Sequence, residues 1–272
     1  MHTLSPTALT QTLTSDMSAM NDHPANILRS AVHAAKMPFC TTGNVPINRD
    51  NPIKLFFEGP DTSTGAKSVR FPPSSPDDVN PLLDACKQAS FGRGDEEVID
   101  PSYRRALVLH ASSFAIAPAS AIDAHKLGIL SKVRETLLGG TGASAADLDE
   151  HAKENSVKDT RVIAQLDKLN VYSAGDFFKG HIDTPRSTNM FGTLLINLPV
   201  AHEGGQLIVH APYSHYYEDS RHVAQYSDAG LGGRDSFTTE WGAEDVLGWI
   251  AFFSDCPHEI LPVKSGNRCV LM

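Results

Sequence analysis

The sequence predicts a mainly β fold, a jelly roll with flanking helices, from its length and the pattern of its second half. From Thr160 onward, short apolar or alternating runs are separated by Gly, Pro, Asp and Asn, as in strands joined by turns. Strands at this even spacing are typical of a jelly roll. At 272 residues the chain suits one elaborate domain. The predicted strands are Val162–Ser173, Phe191–Leu198, Gln206–His210, Val246–Phe253 and Cys269–Met272.

The residues ahead of this β-rich region predict an arm and a supporting region. Residues 1–49 are polar, with one modest helical pattern at Ile27–Ala35, and we expect the beginning of this arm to be disordered. Residues 50–159 predict a mixed α/β region that forms one composite domain with residues 160–272. Its predicted elements are strands at Ile53–Phe57 and Ser68–Phe71, a helix capped near Ser75, and outer helices at Ser120–Leu138 and Ser144–Lys153.

Composition and charge narrow the classes of function. The net charge of −9 and the lack of a clustered basic face disfavour nucleic acid as a partner. We find no apolar run that could span a membrane and no secretory signal, so we expect no membrane association. The four cysteines form no C-x-x-C pair, which indicates free thiols in a reducing, cytoplasmic setting.

Three residues form a candidate metal site. His181 and Asp183 stand one residue apart on a predicted strand, so both side chains should point to the same face. His258 is the candidate third ligand. Two neutral imidazoles and one carboxylate leave three positions of an octahedral ion open, the arrangement expected of non-haem Fe(II) oxygenases. An H-x-D pair is common by chance, however, and most of the twelve histidines must be structural. We expect His202, His210, His215 and His222 on the surface or in loops.

The surrounding motifs make the H-x-D pair more specific. The chain reads Tyr172-x-x-Gly175-x-x-Phe178-x-x-His181-x-Asp183, then Gly204-Gly205-Gln206-Leu207, then His258-x-x-x-Pro262-Val263-x-x-Gly266-x-Arg268. This ordered series resembles the prolyl-4-hydroxylase-like branch of the Fe(II)/2-oxoglutarate-dependent oxygenases. Met190–Leu195 and Ala243–Asp255 look like fungal and bacterial members of uncertain substrate. We expect Gly204 and Gly205 to form a hairpin turn.

The resemblance implies a fold, cofactors and site residues. The fold would be a cupin-like double-stranded β-helix, and the cofactors would be Fe(II), the co-substrate 2-oxoglutarate and, as an accessory reductant, ascorbate. His181, Asp183 and His258 would hold the iron, and dioxygen and 2-oxoglutarate would give succinate and CO2. A guanidinium matches a carboxylate with two parallel hydrogen bonds, so Arg268 would bind the far carboxylate of 2-oxoglutarate. Tyr172 resembles the family tyrosine that hydrogen-bonds the co-substrate, and Phe178 stands where many relatives have Tyr. Thr193 and Asn197 alternate inward on the next predicted strand, so we expect them to line the same pocket.

The substrate and several alternatives stay open. We favour hydroxylation of a small molecule, although the same chemistry can desaturate or cyclise. The alternatives are a protein prolyl hydroxylase, a non-catalytic truncated jelly-roll binding protein and, less favoured, a cupin-type zinc or manganese enzyme. The chain ends at Met272, four residues beyond Arg268, so we expect the last strand to be cut short. Arg186 and Tyr213 are candidate substrate contacts, and Pro212–Arg234 is a predicted lid or recognition segment.

Overall fold

A computed structural model describes residues 38–59, 65–93, 96–138, 161–212 and 236–272. Every element described below lies in one compact unit, Phe39–Met272. The predicted helices Ile27–Ala35 and Ser144–Lys153, the substrate candidate Tyr213 and all but the first residue of the predicted segment Pro212–Arg234 lie outside the described residues.

The described residues form eighteen strands and two α-helices. The helices are α1 (Asn80–Ala85) and α2 (Ile129–Leu137), and short 3-10 turns occur at Pro76–Val79, Ala111–Ser113 and Ala119–Ala121. The strands are β1 (Cys40–Pro46), β2 (Ile53–Glu58), β3 (Ala66–Phe71), β4 (Lys87–Gln88), β5 (Phe91–Arg93), β6 (Glu96–Val98), β7 (Arg104–Arg105), β8 (Leu107–His110), β9 (Phe114–Ala117), β10 (Lys168–Ser173), β11 (Phe177–His181), β12 (Gly192–Asn197), β13 (His202–Gly204), β14 (Leu207–His210), β15 (Ser236–Thr238), β16 (Val246–Phe253), β17 (His258–Ile260) and β18 (Val263–Leu271).

Two sheets form the centre of the fold. The large sheet has the order β1-β16-β12-β18-β10-β8-β4, with β13 also paired to β18, and the small sheet has the order β15-β14-β17-β11-β7. From β10 onward the chain passes repeatedly between them: β10, β12, β13, β16 and β18 belong to the large sheet, and β11, β14, β15 and β17 to the small one. This winding is that of a double-stranded β-helix, so the predicted fold class is confirmed.

Successive side chains on the strands of the large sheet point alternately into two separate hydrophobic cores. On β10, Leu169 and Val171 face an outer core, which also contains buried residues of β2, β3, α1 and α2. The next residue, Tyr172, faces an inner core shared with small-sheet residues such as Phe178 and Leu207. Because successive side chains of a strand point to opposite faces, both faces of the large sheet are buried. The supporting region therefore covers one face and the small sheet covers the other.

Several local predictions are confirmed and others need correction. Strands β2 and β3 form as predicted, and Ser75 caps the 3-10 turn ahead of α1 through a capping box with Asp78. The predicted helix Ser120–Leu138 is shorter, because α2 begins only after Gly128, which has a left-handed φ of 73°. Of Val162–Ser173, only Lys168–Ser173 is strand. No helix in the described ranges has the length and apolar character needed to cross a bilayer.

The first and last strands, β1 and β18, differ from the sequence prediction. Strand β1 pairs along its whole length with β16, although it lies in the stretch assigned to the polar arm. Strand β18 is not cut short, since it spans nine residues and pairs with β10 on one side and with β12 and β13 on the other. Both strands belong to the large sheet, β1 at its edge and β18 in its interior.

The Gly204-Gly205 turn connects the two sheets. Both residues have left-handed φ values, 75° and 66°. They do not close a hairpin, because β13 pairs with β18 of the large sheet while β14 pairs with β17 of the small one. A Cβ at Gly204 would lie 2.6 Å from the carbonyl oxygen of Pro262, so the close approach of two chain segments requires glycine here.

Candidate metal centre

The space between the two sheets is an open cavity of about 430 Å³, a volume that includes its mouth. Residues from the large sheet, among them Tyr172, Thr193 and Arg268, line one side, and small-sheet residues, among them Phe178 and His258, line the other. Asp183, which follows β11, also lines the cavity. The cavity thus contains all three predicted metal ligands and the predicted anion-binding arginine.

Strand pairing brings the two candidate histidines together. His181 is the last residue of β11, His258 is the first of β17, and the two are direct partners in the antiparallel register. The prediction that His181 and Asp183 share one strand is wrong, because β11 ends at His181 and its register shifts between Phe178 and His181. Asp183 nevertheless returns to the site, and the ligand atoms of the three residues lie within 4.8 Å of one another.

Backbone carbonyls orient both imidazoles. His181 Nδ1 lies 2.9 Å from the carbonyl oxygen of Lys179, and His258 Nδ1 lies 3.0 Å from that of Cys256. An imidazole that donates through Nδ1 presents Nε2 as a free electron pair. The Nε2 atoms face Asp183, at 3.8 Å from Oδ1 for His181 and 3.7 Å from Oδ2 for His258.

Burial keeps His181 neutral. Burial and, less strongly, the neighbouring His258 hold the pKa of His181 well below its ordinary value. The neutral imidazole is the form that binds a metal ion. The His181 ring also stacks on Phe178, with centroids 3.5 Å apart and planes at 21°. Phe178 therefore forms the platform under His181.

Thr193 contacts the candidate ligand Asp183. Its hydroxyl donates a hydrogen bond of 2.7 Å to Asp183 Oδ2. Thr193 lines the cavity, as the sequence predicted, and this hydrogen bond links it to the aspartate that follows β11; its contact with the co-substrate stays a prediction. Asn197 lies farther along β12 and does not line the cavity; its amide donates to the carbonyl of Leu198 at 3.1 Å.

Arg268 is a buried cation with no partner among the described residues. Its exposed fraction is 0%, and none of Nε, Nη1 and Nη2 has a hydrogen-bond acceptor there. It lies opposite Tyr172 in the pairing of β10 with β18, and its guanidinium carbon lies 5.5 Å from the Tyr172 ring centroid and 5.1 Å from that of Trp241. Burial lowers its pKa to about 10, so the group is still charged at neutral pH. An anion bound at this position would supply the missing acceptors.

The two predicted substrate residues are less informative. Arg186 does not line the cavity, and its guanidinium forms two contacts with the carboxylate of Asp167, Nη1 to Oδ1 and Nη2 to Oδ2. Tyr213 lies outside the described residues. The roles of both residues in substrate binding stay predictions.

Sequence reasoning missed several polar residues in the barrel. Lys168 and Asn170 line the cavity, and their parity with Tyr172 on β10 was a usable signal. Arg104 also lines it, but the two-residue strand β7 leaves no pattern in the sequence. His202, expected on the surface or in a loop, is only 9% exposed and lies on β13, with Nδ1 2.9 Å from the carbonyl oxygen of Val200.

Comparisons with known proteins give matches among solved structures. No family model matches the chain, and no curated protein matches it significantly. The structure is similar to a prolyl-4-hydroxylase from Pseudomonas putida, with a TM-score of 0.35 and 16% identity over 63% of this chain and 71% of that one. It is also similar to an oxidoreductase of the 2OG-Fe(II) oxygenase family from Burkholderia pseudomallei, with a TM-score of 0.33 and 14% identity over 71% and 74% of the two chains.

A third match is a prolyl hydroxylase from Trichoplax adhaerens, solved in complex with a peptide fragment of the hypoxia inducible factor oxygen degradation domain. The TM-score is 0.35 and the identity 16%, over 67% of each chain. The function proposed below follows from the residues of the cavity and their geometry.

Proposed function

We propose that this protein is an Fe(II)/2-oxoglutarate-dependent dioxygenase that oxidises a small molecule, releasing succinate and CO2. One observation carries the proposal: two histidines and an aspartate converge in the same cavity as a buried arginine without a partner. A cluster of two histidines and an aspartate, or a buried arginine, can each have a purely structural role. Their combination in one cavity matches the binding requirements of a metal ion and a dicarboxylic co-substrate.

The three candidate ligands suit ferrous iron. Two imidazoles with free Nε2 atoms and one carboxylate form a mixed nitrogen and oxygen set, and among the described residues three protein ligands meet here. Iron bound by His181, Asp183 and His258 would supply open positions for the oxygens of 2-oxoglutarate and for dioxygen. Thr193 would hold Asp183 in its binding orientation through the 2.7 Å hydrogen bond.

Arg268 suits the far carboxylate of 2-oxoglutarate. Its unpartnered nitrogens would donate two parallel hydrogen bonds to that carboxylate, and the aromatic rings of Tyr172 and Trp241 flank the guanidinium. The Tyr172 hydroxyl is a further candidate donor. Because Arg268 is fully buried and His258 is 5% exposed, the two sheets would keep bulk water away from the bound co-substrate.

The burial of the site favours a small substrate over a protein chain, which would have to insert a side chain between the sheets. Turnover measurements separate the two. A small-molecule enzyme releases succinate faster with free amino acids or metabolites, and a protein prolyl hydroxylase does so with a Pro-rich peptide. A non-catalytic binding protein releases no succinate with either. Nothing in the described residues supports ascorbate as an additional cofactor.

The direct test is the addition of Fe(II) and 2-oxoglutarate without oxygen, followed by absorption spectroscopy for the weak visible charge-transfer band of the chelate. We expect the band with the wild type. His181→Ala, Asp183→Ala and Arg268→Ala should each weaken it, whereas Arg70→Ala, at an exposed arginine of β3, should leave it unchanged. A band that survives all three cavity substitutions would show that the site assignment is wrong.

A further inference from the structure

The cavity contains a second cationic group, apart from Arg268, that the proposed function does not use. Lys168 and Arg104 both line the cavity, together with Asn170 between them. Lys168 lies four residues before Tyr172 on β10, on the same face of the strand, so its Cα stands about 13 Å from that of Tyr172, the partner of Arg268. The two cations therefore start from positions several residues apart along the cavity wall.

The ammonium group of Lys168 is only weakly engaged by the protein. Its side chain is 19% exposed, and its single ion-pair partner among the described residues is Asp167, with Nζ 3.5 Å from Oδ2. Both oxygens of Asp167 are already bound by the guanidinium of Arg186. In the described ranges Lys168 has no side-chain hydrogen bond besides this ion pair, so its ammonium keeps N–H donors for a ligand.

Arg104 adds a second positive charge to the part of the cavity lined by Lys168. Its Nη1 donates to the carbonyl of Ser90 at 2.5 Å and its Nη2 to Asn170 Oδ1 at 2.9 Å, and its guanidinium carbon lies 4.4 Å from the Phe178 ring centroid. These contacts fix the group but do not neutralise it. Burial lowers the pKa of Lys168, the charge of Arg104 lowers it further, and the carboxylates of Asp183 and Glu97 raise it.

The described lining of the cavity carries more positive than negative charge. Three cations, Arg104, Lys168 and Arg268, line it with one carboxylate, Asp183; the carboxylate of Asp167, outside the lining, pairs with Lys168 but is shared with Arg186. Ferrous iron and the 2-oxoglutarate dianion would neutralise each other and leave the excess positive charge unchanged. Buried like charges are costly unless a counter-charge is present. A second anion beside the metal position would remove that cost.

We propose that Lys168, supported by Arg104, binds a carboxylate of the molecule to be oxidised, so that the substrate is a small organic acid. This inference rests on the proposed function, since it takes Arg268 and the metal position as occupied by the co-substrate. Lys168 lines the same cavity as Asp183, so a molecule held by this ammonium would share the cavity with the candidate metal site. The other source of the same chemistry is the carboxylate of 2-oxoglutarate nearer the metal, and the experiment separates the two.

The test compares carboxylic acids with their uncharged amides. The full-length protein, loaded with Fe(II) and 2-oxoglutarate without oxygen, is titrated with each proteinogenic amino acid, its N-acetyl derivative, and the matching carboxamides, and binding is read from the change in the visible band. Succinate release in air gives a second measurement. The variants are Lys168→Met, Lys168→Arg and, as a matched control, Lys54→Met at an exposed lysine of β2.

We expect at least one acid to bind the wild type at least tenfold more tightly than its amide. Lys168→Met should remove this preference, Lys168→Arg should keep part of it, and Lys54→Met should keep all of it. Both variants are also titrated with 2-oxoglutarate. We expect the loss of 2-oxoglutarate affinity caused by Arg268→Met to be at least ten times as large as the loss caused by Lys168→Met.

Three results would overturn the inference. In the first, every carboxylic acid tested has the same or lower affinity for the wild type than for the Lys168→Met variant. In the second, acids and amides bind equally. In the third, Lys168→Met weakens 2-oxoglutarate as much as Arg268→Met, which would assign Lys168 to the co-substrate. If the protein gives no visible band at all, the proposed function itself fails, and this outcome is distinct from the other three.

Discussion

The two faces of the large sheet are both buried, but they bury different chemistry. On the outer face, Leu169 and Val171 of β10 and Leu271 of β18 are at most 2% exposed and pack in a purely apolar core. On the inner face, the same two strands present Tyr172 and Arg268, and the arginine has no polar partner among the described residues. The outer face thus stabilises the fold, and the inner face holds polar groups ready for a ligand.

The largest effect on stability should come from the outer face. Leu169→Ala removes a fully buried side chain that lies between Leu271 and Leu109 in the sheet. We expect the free energy of unfolding to fall by about 2–5 kcal/mol because a cavity remains. Urea unfolding measures this change. The 2-oxoglutarate affinity of the folded fraction should be unchanged, and a large loss of affinity would contradict the separation of the two faces.

The inner face should respond in the opposite direction. Arg268→Met replaces a buried, unpartnered guanidinium by an apolar side chain, so the metal-free and ligand-free protein should gain about 1–3 kcal/mol of stability. The same variant should lose the stabilisation that added 2-oxoglutarate and Fe(II) give to the wild type. Urea unfolding with and without these ligands tests both points. A destabilised apo variant would show that Arg268 has a structural role.

A smaller effect, on metal affinity, is expected from Thr193, which contacts the candidate ligand Asp183. Thr193→Val keeps the shape of the side chain but removes the hydroxyl that donates to Asp183 Oδ2. We expect Fe(II) affinity to fall by about 10–100-fold, the usual effect of removing a hydrogen bond to a ligand. Thr193→Ser should keep most of the affinity. Equal affinities for the valine and serine variants would contradict the orienting role.

The smallest effect concerns pH. Burial lowers the pKa of His202 below its ordinary value, which is near 6.5. The unfolded chain therefore takes up a proton at this histidine more readily than the folded protein does. The contribution of neutral His202 to stability is present above about pH 6.5 and is lost as the pH falls below that value. His202→Gln should make the loss of stability between pH 7.5 and pH 5.5 smaller, as measured by urea unfolding. An unchanged pH dependence would show that His202 is not one of the responsible groups.

The fold and the main candidate residues could be predicted because their signals are local. The spacing of strands gives the jelly roll, and the motif around His181 and the tail from His258 to Arg268 identify the residues that meet in the cavity. The resemblance also directed attention to Tyr172, and strand alternation directed attention to Thr193. Neither revealed that the Thr193 hydroxyl binds Asp183, because this contact depends on where the chain turns after β11.

The rest of the site depends on contacts between distant segments. Arg104 reaches the cavity only because β7 pairs with β11, and two residues of strand leave no periodic pattern. The pairing of β1 with β16 likewise joins residues from opposite ends of the chain, and the local polarity of residues 40–46 concealed it. Lys168 could have been found, since it has the same parity as Tyr172 on β10, but its ion-pair environment depends on the positions of Asp167 and Arg186.

The carbonyl groups that orient His181 and His258 have a consequence for how this site tolerates change. In both cases the acceptor is the main-chain oxygen two positions earlier, at Lys179 and Cys256. Every amino acid has such an oxygen, so the tautomer of each imidazole does not depend on which side chains occupy those positions. The side chains at these two positions can therefore change while the Nε2 electron pairs of both imidazoles keep their orientation. The candidate metal centre can thus be retained when most of the surrounding sequence has changed.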